Sequence, residues 1–219
     1  MRPIINHKSR YLDTDEAYFA DKAISNSDLK IAQSLILKIP VIRLQGNFLE
    51  VGKAIHGSIT GIEESKEEWI QKTKERFWNN PLVQNLFSGK KFLIEQGFTF
   101  LWQKNMCKAK PDWFSLDGEG VLIDLKSTAS SNQEGFEKTV HEYGYLQQMA
   151  FYAKGIEKAF GLYPKHKWIL GVTKTKKQTK IFSVCVENKE LHRYENICRY
   201  TLNQINKSVK KQIYESKAA

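Results

Sequence analysis

The sequence predicts an α/β (α+β) fold in which a central mixed β-sheet is flanked by helices. Strand-like runs rich in aromatic and β-branched residues occupy the middle of the chain, and segments with apolar residues at helical spacing lie on both sides of them. At 219 residues the chain can bury a substantial core, so we expect a single domain over 1–219. Within it, residues 1–90 should be mainly helical, 91–187 should form the sheet and one helix, and 188–219 should form a C-terminal helix.

Helices are predicted first over Ser27–Lys38, Asn47–Gly61 and Ser65–Trp78. Ser27 is the expected N-cap of the first helix and Pro40 its stop. The third opens with Ser65-x-x-Glu68, which is typical of a capping box. Asn80 and Pro81 should then begin a short helix that ends near residue 89.

Three strands follow, at about 91–103, 106–115 and 120–127, and the last two should form a hairpin around the turn Asp117–Gly120. A helix is predicted in EYGYLQQMAFYAKGIEKAFG, closed by Gly161. The runs WILGVTKT and KIFSVCVEN read as a second hairpin. A final long helix should run from Asn188 to about Tyr214, and we interpret its apolar stripe as core or as a subunit interface.

The segment from Cys107 to Lys126 is the most informative. Side chains alternate along a strand, so Asp124 and Lys126 should project from one face of VLIDLK while Ile123 and Leu125 pack on the other. Asp112 lies about a dozen residues earlier, and two carboxylates can hold a divalent metal while a lysine orients water for attack on a phosphodiester. A lone D-x-K is more often a surface ion pair worth roughly 0–1 kcal/mol. The interpretation therefore depends on residues elsewhere.

Other polar residues fall where such a site would need them. Glu95 in KFLIEQGFTFLW is a candidate third acid, or simply an exposed strand glutamate. His56 sits beside an apolar helical stripe, with Gly52 one turn earlier allowing close backbone approach; a packed histidine is the alternative. Gln148 and Tyr152 are neighbours on one helix face, although an ordinary amphipathic helix would also place them so.

Taken in order, ISNSDL, GKAIHG, CKAKPDW with LIDLKST, and EYGYLQQMAFYAKGIEKAFG resemble the RecB-like branch of the PD-(D/E)xK nuclease superfamily. The closest resemblance is to the RecE (exonuclease VIII) nuclease-domain group, over about residues 20 to 185. It implies a restriction-endonuclease-like fold and a Mg²⁺-dependent exodeoxyribonuclease, with Mn²⁺ able to substitute. The expected reaction is 5′→3′ digestion of linear double-stranded DNA in phage-type recombination. An annealing protein and a ring-shaped homo-oligomer are further implied partners.

The resemblance also assigns roles to the candidate residues. Metal would be bound by Asp112, Asp124 and the backbone carbonyl of Leu125, with Glu95 and His56 completing or supporting the site. Lys126 would polarise the attacking water. The resemblance further implies that two helical residues brace the site and contact the DNA backbone, namely Gln148 and Tyr152.

Charge favours a nucleic-acid partner. The chain has 34 basic and 24 acidic residues, a formal charge of +10 and a pI near 9.4. Lys108 and Lys110 share strand parity with Asp112, so both should face its cleft. The segment TKTKKQTK is either a second DNA contact or a solvated turn. Its lysines with that predicted role are Lys174, Lys176 and Lys177.

Ser25 and Ser27 precede or begin the first predicted helix, where exposed amides could hold a DNA-end phosphate; simple capping is the alternative. Pro111 suggests an edge or a bulge at the site. Three cysteines without C-x-x-C spacing favour a reducing cytosol and argue against an iron–sulfur cluster. No apolar run approaches the ~20 residues that span a bilayer, so no membrane association is expected.

Two alternatives to the leading function stay open. The first is a related nuclease of other polarity, or a structure-selective endonuclease, with the same chemistry in a different channel. The second is a catalytically silent DNA-end-binding subunit that keeps the fold and the basic surface. Intact Asp112, Asp124 and Lys126 argue against the second.

Overall fold

The computed structural model describes residues 2–38, 48–176 and 178–218. Its elements follow one another as β1 (Tyr11–Leu12), α1 (Asp15–Ala20), α2 (Asn26–Leu37), α3 (Phe48–Thr60), α4 (Glu68–Trp78), α5 (Pro81–Phe87), β2 (Leu93–Ile94), β3 (Gly97–Trp102), β4 (Asn105–Ala109), β5 (Trp113–Ser115), β6 (Val121–Thr128), α6 (Gln133–Glu142), α7 (Tyr145–Phe160), β7 (His166–Thr173), β8 (Ile181–Cys185), α8 (Asn188–Gln204) and α9 (Lys207–Ala218). No helix of this described part is long and apolar enough to cross a membrane.

The described strands form two sheets. A small antiparallel sheet has the order β1-β3-β4, and a five-stranded sheet has the order β2-β5-β6-β7-β8. In the larger sheet β6 and β7 are parallel and the other pairs are antiparallel, so the predicted mixed sheet is confirmed. The predicted hairpin is β5–β6, in which Trp113 pairs with Ile123, and β6 is the central strand. Its DGEG turn uses left-handed backbone at Gly118 and Gly120, with φ of 59° and 75°.

Two hydrophobic clusters cover the faces of the larger sheet. One joins Ile123 and Leu125 of β6 to α3, α4 and α5, for example through Ile55 and Phe77. The other joins Leu122 to α7, α8 and the small sheet. Neighbouring residues of β6 thus point to opposite clusters, as the predicted alternation requires. A mixed sheet flanked by helices is the architecture that the sequence predicts.

Two predicted strands are each split between the sheets. The strand predicted at 91–103 breaks between β2 and β3, where Glu95 adopts a φ of 42°. The strand predicted at 106–115 breaks between β4 and β5, at the Lys110–Asp112 link that contains Pro111. Proline has no N–H for a ladder, which fits its position between sheets. The predicted edge or bulge is therefore a crossing from one sheet to the other.

Two segments that were each predicted to be one helix form two helices. Gly144 with a φ of 66° separates α6 from α7, so EYGYLQQMAFYAKGIEKAFG is not one helix; its end at Gly161 is confirmed. The long C-terminal helix is two helices, α8 and α9. Asn206 lies between them and accepts the Val209 N–H through its side chain at 3.0 Å.

Two capping predictions were also wrong. The N-cap of α2 is Ser25, not Ser27: Ser25 Oγ accepts the Asp28 N–H, and the Asp28 carboxylate accepts the Ser25 N–H. No side-chain hydrogen bond caps α4, which begins at Glu68 after the proposed Ser65 box. The Asn80 cap of α5 is confirmed. The predicted stop at residue 40 and the predicted helix start at residue 47 lie outside the described residues.

Candidate active site

Asp112 is held by backbone groups from two directions. It lies in the link just before β5, and its Oδ2 accepts the Leu125 N–H of β6 at 2.6 Å. Its carbonyl oxygen accepts the Glu95 N–H at 2.8 Å. Burial opposes ionisation of Asp112, but His56, Lys126 and the Leu125 N–H together hold its pKa below the ordinary value. The chain therefore keeps a buried, ionised carboxylate at this point.

His56 of α3 lies between two carboxylates. Its Nε2 is 3.1 Å from Asp112 Oδ1, and its Nδ1 is 3.4 Å from Glu95 Oε1. Burial lowers the pKa of His56, but the two acids outweigh it and the pKa is raised. A Cβ at Gly52 would lie 2.6 Å from Ser127 Oγ, so glycine lets α3 approach β6 closely enough for these contacts.

Asp124 and Lys126 form the second half of the site. Lys126 Nζ is 2.6 Å from Asp124 Oδ2, while the side chains are 17% and 1% exposed. Asp124 Oδ1 is buried and has no hydrogen-bond partner among the described residues. Burial raises the pKa of Asp124 to about 6; Lys126 opposes that rise and Asp112 adds to it. Burial disfavours the Lys126 charge, but Asp124 and Asp112 raise its pKa overall.

The two lysines predicted to face the cleft have other roles. Lys108 is 3% exposed, and its Nζ donates to the backbone oxygens of Tyr18 and Asp21 at 2.5 and 2.9 Å. The prediction that Lys108 lies on a DNA-facing strip is therefore wrong. Lys110 does reach the site, where its Nζ is 2.7 Å from Glu95 Oε2. A second ion pair joins Lys110 Nζ to Asp15 Oδ1 at 2.6 Å.

Helix α7 lies beside these residues. Gln148 Nε2 donates to the Tyr152 hydroxyl at 3.0 Å. Tyr152 is 8% exposed, and burial followed by the charges of Tyr18, Asp124 and Asp112 raises its pKa well above the ordinary value. This burial favours the bracing role predicted for Tyr152 over contact with DNA. Sequence reasoning missed Tyr145, whose ring centroid is 4.9 Å from Lys126 Nζ; its position three residues before Gln148 is the signal that could have found it.

A cavity of about 490 Å³, which we call the active-site cavity, opens in front of this cluster. His56, Glu95 and Lys126 line it, and the two buried aspartates lie behind them. Lys174 also lines it.

The other described residues predicted to bind DNA are not among those that line the active-site cavity. Lys176 lies 3.8 Å from Glu67 and 5.8 Å from the Trp69 ring. Ser25 is occupied as the N-cap of α2, and Ser27 is exposed on that helix. Lys177 lies outside the described residues. Their DNA-binding roles stay predictions.

The donor set suits a hard divalent cation. No three His, Cys, Asp or Glu side chains of residues 2–38, 48–176 and 178–218 form a ready-made cage. Instead, a His56 nitrogen and the Lys126 ammonium lie against carboxylate oxygens that a cation could take. The unpartnered Asp124 Oδ1 is the observation that supports the fit, because carboxylate oxygens are the ligands that Mg²⁺ and Mn²⁺ prefer.

The mixed sheet with two aspartates and a lysine at one hairpin defines a PD-(D/E)xK-like protein. A family model described as a PDDEXK-like domain of unknown function (DUF3799) matches residues 50–216. The chain belongs to this family. The superfamily named from the sequence is thereby confirmed, and the RecE group stays a prediction.

One of the similar solved structures shares the fold of this chain, with a TM-score above 0.5. A candidate exonuclease from Eubacterium rectale is 18% identical, with a TM-score of 0.64 over 93% of this chain and 87% of that one. A phage-related exonuclease from Haemophilus somnus 129PT is 11% identical, with a TM-score of 0.43 over 85% and 95%. LHK-Exo in complex with dAMP is 15% identical, with a TM-score of 0.36 over 93% and 96%. No curated protein matches the chain.

Proposed function

We propose that this protein is a Mg²⁺-dependent deoxyribonuclease that hydrolyses phosphodiester bonds. The observation that carries the proposal is the convergence of Asp112, Asp124 and Lys126 behind an open cavity, with one buried carboxylate oxygen left without a partner. Burying such groups costs free energy unless they are paired, so an incompletely paired cluster calls for a ligand. The fold shared with a candidate exonuclease supports this chemistry.

Each residue of the cluster has a role in this proposal. Asp112 and Asp124 would hold the cation together with the Leu125 carbonyl, and Glu95 would complete the set. A bound Mg²⁺ lowers the pKa of water and offsets negative charge on the phosphate. Lys126, the only one of these side chains with a positive charge, would orient the attacking water and stabilise the charge that gathers in the transition state.

The remaining groups position these. His56 contacts both Asp112 and Glu95, so it fixes the separation of the two acids. Lys110 holds the other oxygen of Glu95. Gln148 and Tyr152 brace the face of α7 that lies against Asp124.

The RecE-like resemblance extends the proposal to substrate and setting. The substrate would be the ends of linear double-stranded DNA, digested 5′→3′ during phage-type recombination in the host cytosol. A single-strand annealing protein would receive the product strand. A ring-shaped homo-oligomer would encircle the DNA and make digestion processive.

Digestion of linear plasmid with and without EDTA tests the chemistry. A nuclease cleaves only when the divalent ion is present, with Mn²⁺ replacing Mg²⁺ and Ca²⁺ permitting DNA capture without turnover. A silent end-binding subunit would bind DNA equally in every condition and cleave in none. The Asp124→Asn protein controls for contaminating nuclease.

Duplexes labelled at the 5′ or the 3′ terminus, with and without a 5′ phosphate, test the polarity. Early release of the 5′ label supports 5′→3′ digestion. Early release of the 3′ label indicates the opposite polarity. Internal cuts before either label is lost indicate a structure-selective endonuclease.

A further inference from the structure

A second cavity, of about 350 Å³, lies beside the active-site cavity. We call it the Lys180 pocket. Of its nine described lining residues, all but Ala129 carry a hydroxyl, an amide or an ammonium group, and none carries a carboxylate. The two ammonium groups belong to Lys174 and Lys180. This lining suits an anion, because a negatively charged ligand would meet positive charge and polar groups and no opposing carboxylate.

The pocket lies at the carboxyl ends of the parallel strands. Thr128 is the last residue of β6 and Thr173 the last residue of β7, and both line it. Ligands of open α/β sheets bind outside the carboxyl ends of the strands. Lys174 also lines the active-site cavity, so one side chain borders both spaces. A strand of DNA that places a phosphate at Lys126 can therefore continue into the Lys180 pocket.

Hydrogen bonds connect described residues of the two loops that line the pocket. The Thr128 hydroxyl donates to Ser130 Oγ at 2.9 Å, and Thr173 Oγ1 accepts the Lys180 N–H at 2.9 Å. Lys180 Nζ donates to the Ser131 carbonyl oxygen at 2.8 Å, which joins the β7–β8 loop to the β6–α6 loop. An ammonium group has three N–H donors, so this bond fixes Lys180 and leaves capacity for an anion.

We propose that the Lys180 pocket binds a phosphate of the strand being cut, at a fixed number of nucleotides from the scissile phosphate. Lys180 is then a residue that positions the substrate without touching the reacting atoms. The inference rests on the proposed function, since it supposes that a DNA strand occupies the active-site cavity. It adds a defined second anchor, which would set the minimum length of a good substrate.

Single methylphosphonate linkages in the cleaved strand test this subsite. Each linkage removes one negative charge. KM and kcat are measured for each position of the linkage with the wild-type protein, Lys180→Gln and Lys165→Gln. Lys165 is the matched control because it lies at the amino end of β7, on the surface, paired with Glu119 at 2.6 Å. In the wild type, one neutral linkage away from the scissile position should raise KM about tenfold.

Lys180→Gln should show the same rise in KM with fully charged DNA, with kcat within about twofold, and should be insensitive to that linkage. Its salt slope for DNA binding should fall by about one. Lys165→Gln should behave as the wild type. An unchanged linkage profile in Lys180→Gln would overturn the proposal.

A binding assay in Ca²⁺ with the same strands separates the two hypotheses. If the wild type cleaves no DNA but its binding depends on Lys180 and on one linkage, the subsite stands and the nuclease proposal fails. If it cleaves normally and neither cleavage nor binding depends on Lys180, only the subsite fails.

Discussion

The parallel β6–β7 pair carries a lysine toward each of its ends, and the two lysines have opposite surroundings. At the amino end Lys167 is 0% exposed, and its Nζ donates to neutral oxygens of Pro164, Lys165 and Asn188 at 2.8, 2.9 and 2.6 Å. Burial lowers its pKa. Toward the carboxyl end Lys126 faces the Asp124 carboxylate, and its pKa is raised.

This difference separates a structural lysine from a chemical one. The partners of Lys167 are fixed parts of the fold, because they belong to the loop before β7 and to the first residue of α8. The partner of Lys126 is a carboxylate that a metal ion can also bind. Lys108 belongs with Lys167, since backbone oxygens receive its hydrogen bonds. The partners of a buried lysine, more than its burial, therefore indicate its role.

The largest expected effect follows removal of the chemical lysine. Lys126→Met should lower kcat by about a thousandfold or more, because a charge that stabilises the transition state is lost. DNA binding in Ca²⁺ should stay within several-fold of the wild type. Single-turnover cleavage and fluorescence anisotropy measure the two quantities. Wild-type turnover in purified Lys126→Met would remove the nuclease assignment.

A smaller effect is expected on metal binding. Asp112→Asn keeps an acceptor for the Leu125 N–H but removes a charged ligand, so Mn²⁺ affinity should fall at least about tenfold. Isothermal titration calorimetry measures it. Asp117→Asn is the matched control in the same hairpin, where the carboxylate accepts the Lys91 N–H far from the cluster. Equal affinity in the Asp112 variant and the wild type would exclude Asp112 as a ligand.

The structural lysine should show the reverse pattern. Lys167→Met leaves three acceptors without their donor and should reduce the free energy of unfolding by about 2–3 kcal/mol. Turnover per folded molecule should be unchanged at a temperature below the transition. Urea unfolding and active-site titration measure the pair. A loss of kcat without a loss of stability would break the comparison.

The smallest expected effect is that of pH. The pKa of Asp124 is raised to about 6, so this carboxyl is ionised above pH 6 and protonated below it. The raised pKa of His56 also weakens metal binding at low pH, because a protonated imidazole pairs with the Asp112 and Glu95 carboxylates that a metal would bind. At limiting Mg²⁺, activity should fall about tenfold per pH unit below about 6. A flat profile between pH 5 and 7 at subsaturating metal would contradict the assignment of Asp124.

The sequence predicted the hairpin, the alternation along β6 and the five residues His56, Glu95, Asp112, Asp124 and Lys126 that the structure brings together. Short-range signals sufficed there: a turn with glycines, period-two burial and an apolar helical stripe. The functional roles of these residues and the single-domain organisation stay predictions.

Long-range contacts explain what the sequence could not show. KFLIEQGFTFLW reads as one strand, because nothing in its pattern reveals the left-handed backbone at Glu95. The strand that would have put Lys108 on the face of Asp112 ends at Ala109, and the partners of Lys108 come from residues near 20 in the chain. The Ser25–Asp28 capping box was readable from sequence, since aspartate can serve as the returning acceptor.

The β5–β6 hairpin has a consequence for the order in which the molecule folds. The bond from the Leu125 N–H to Asp112 closes a short loop, whereas His56 and the β7 neighbour of β6 come from distant parts of the chain. Local contacts form sooner than parallel crossovers. We therefore expect pulse-labelled hydrogen exchange to protect the Leu125 amide before those of β7. Asp112 and Asp124 would then come together early in folding. A nascent chain would stay inactive until β7 pairs with β6.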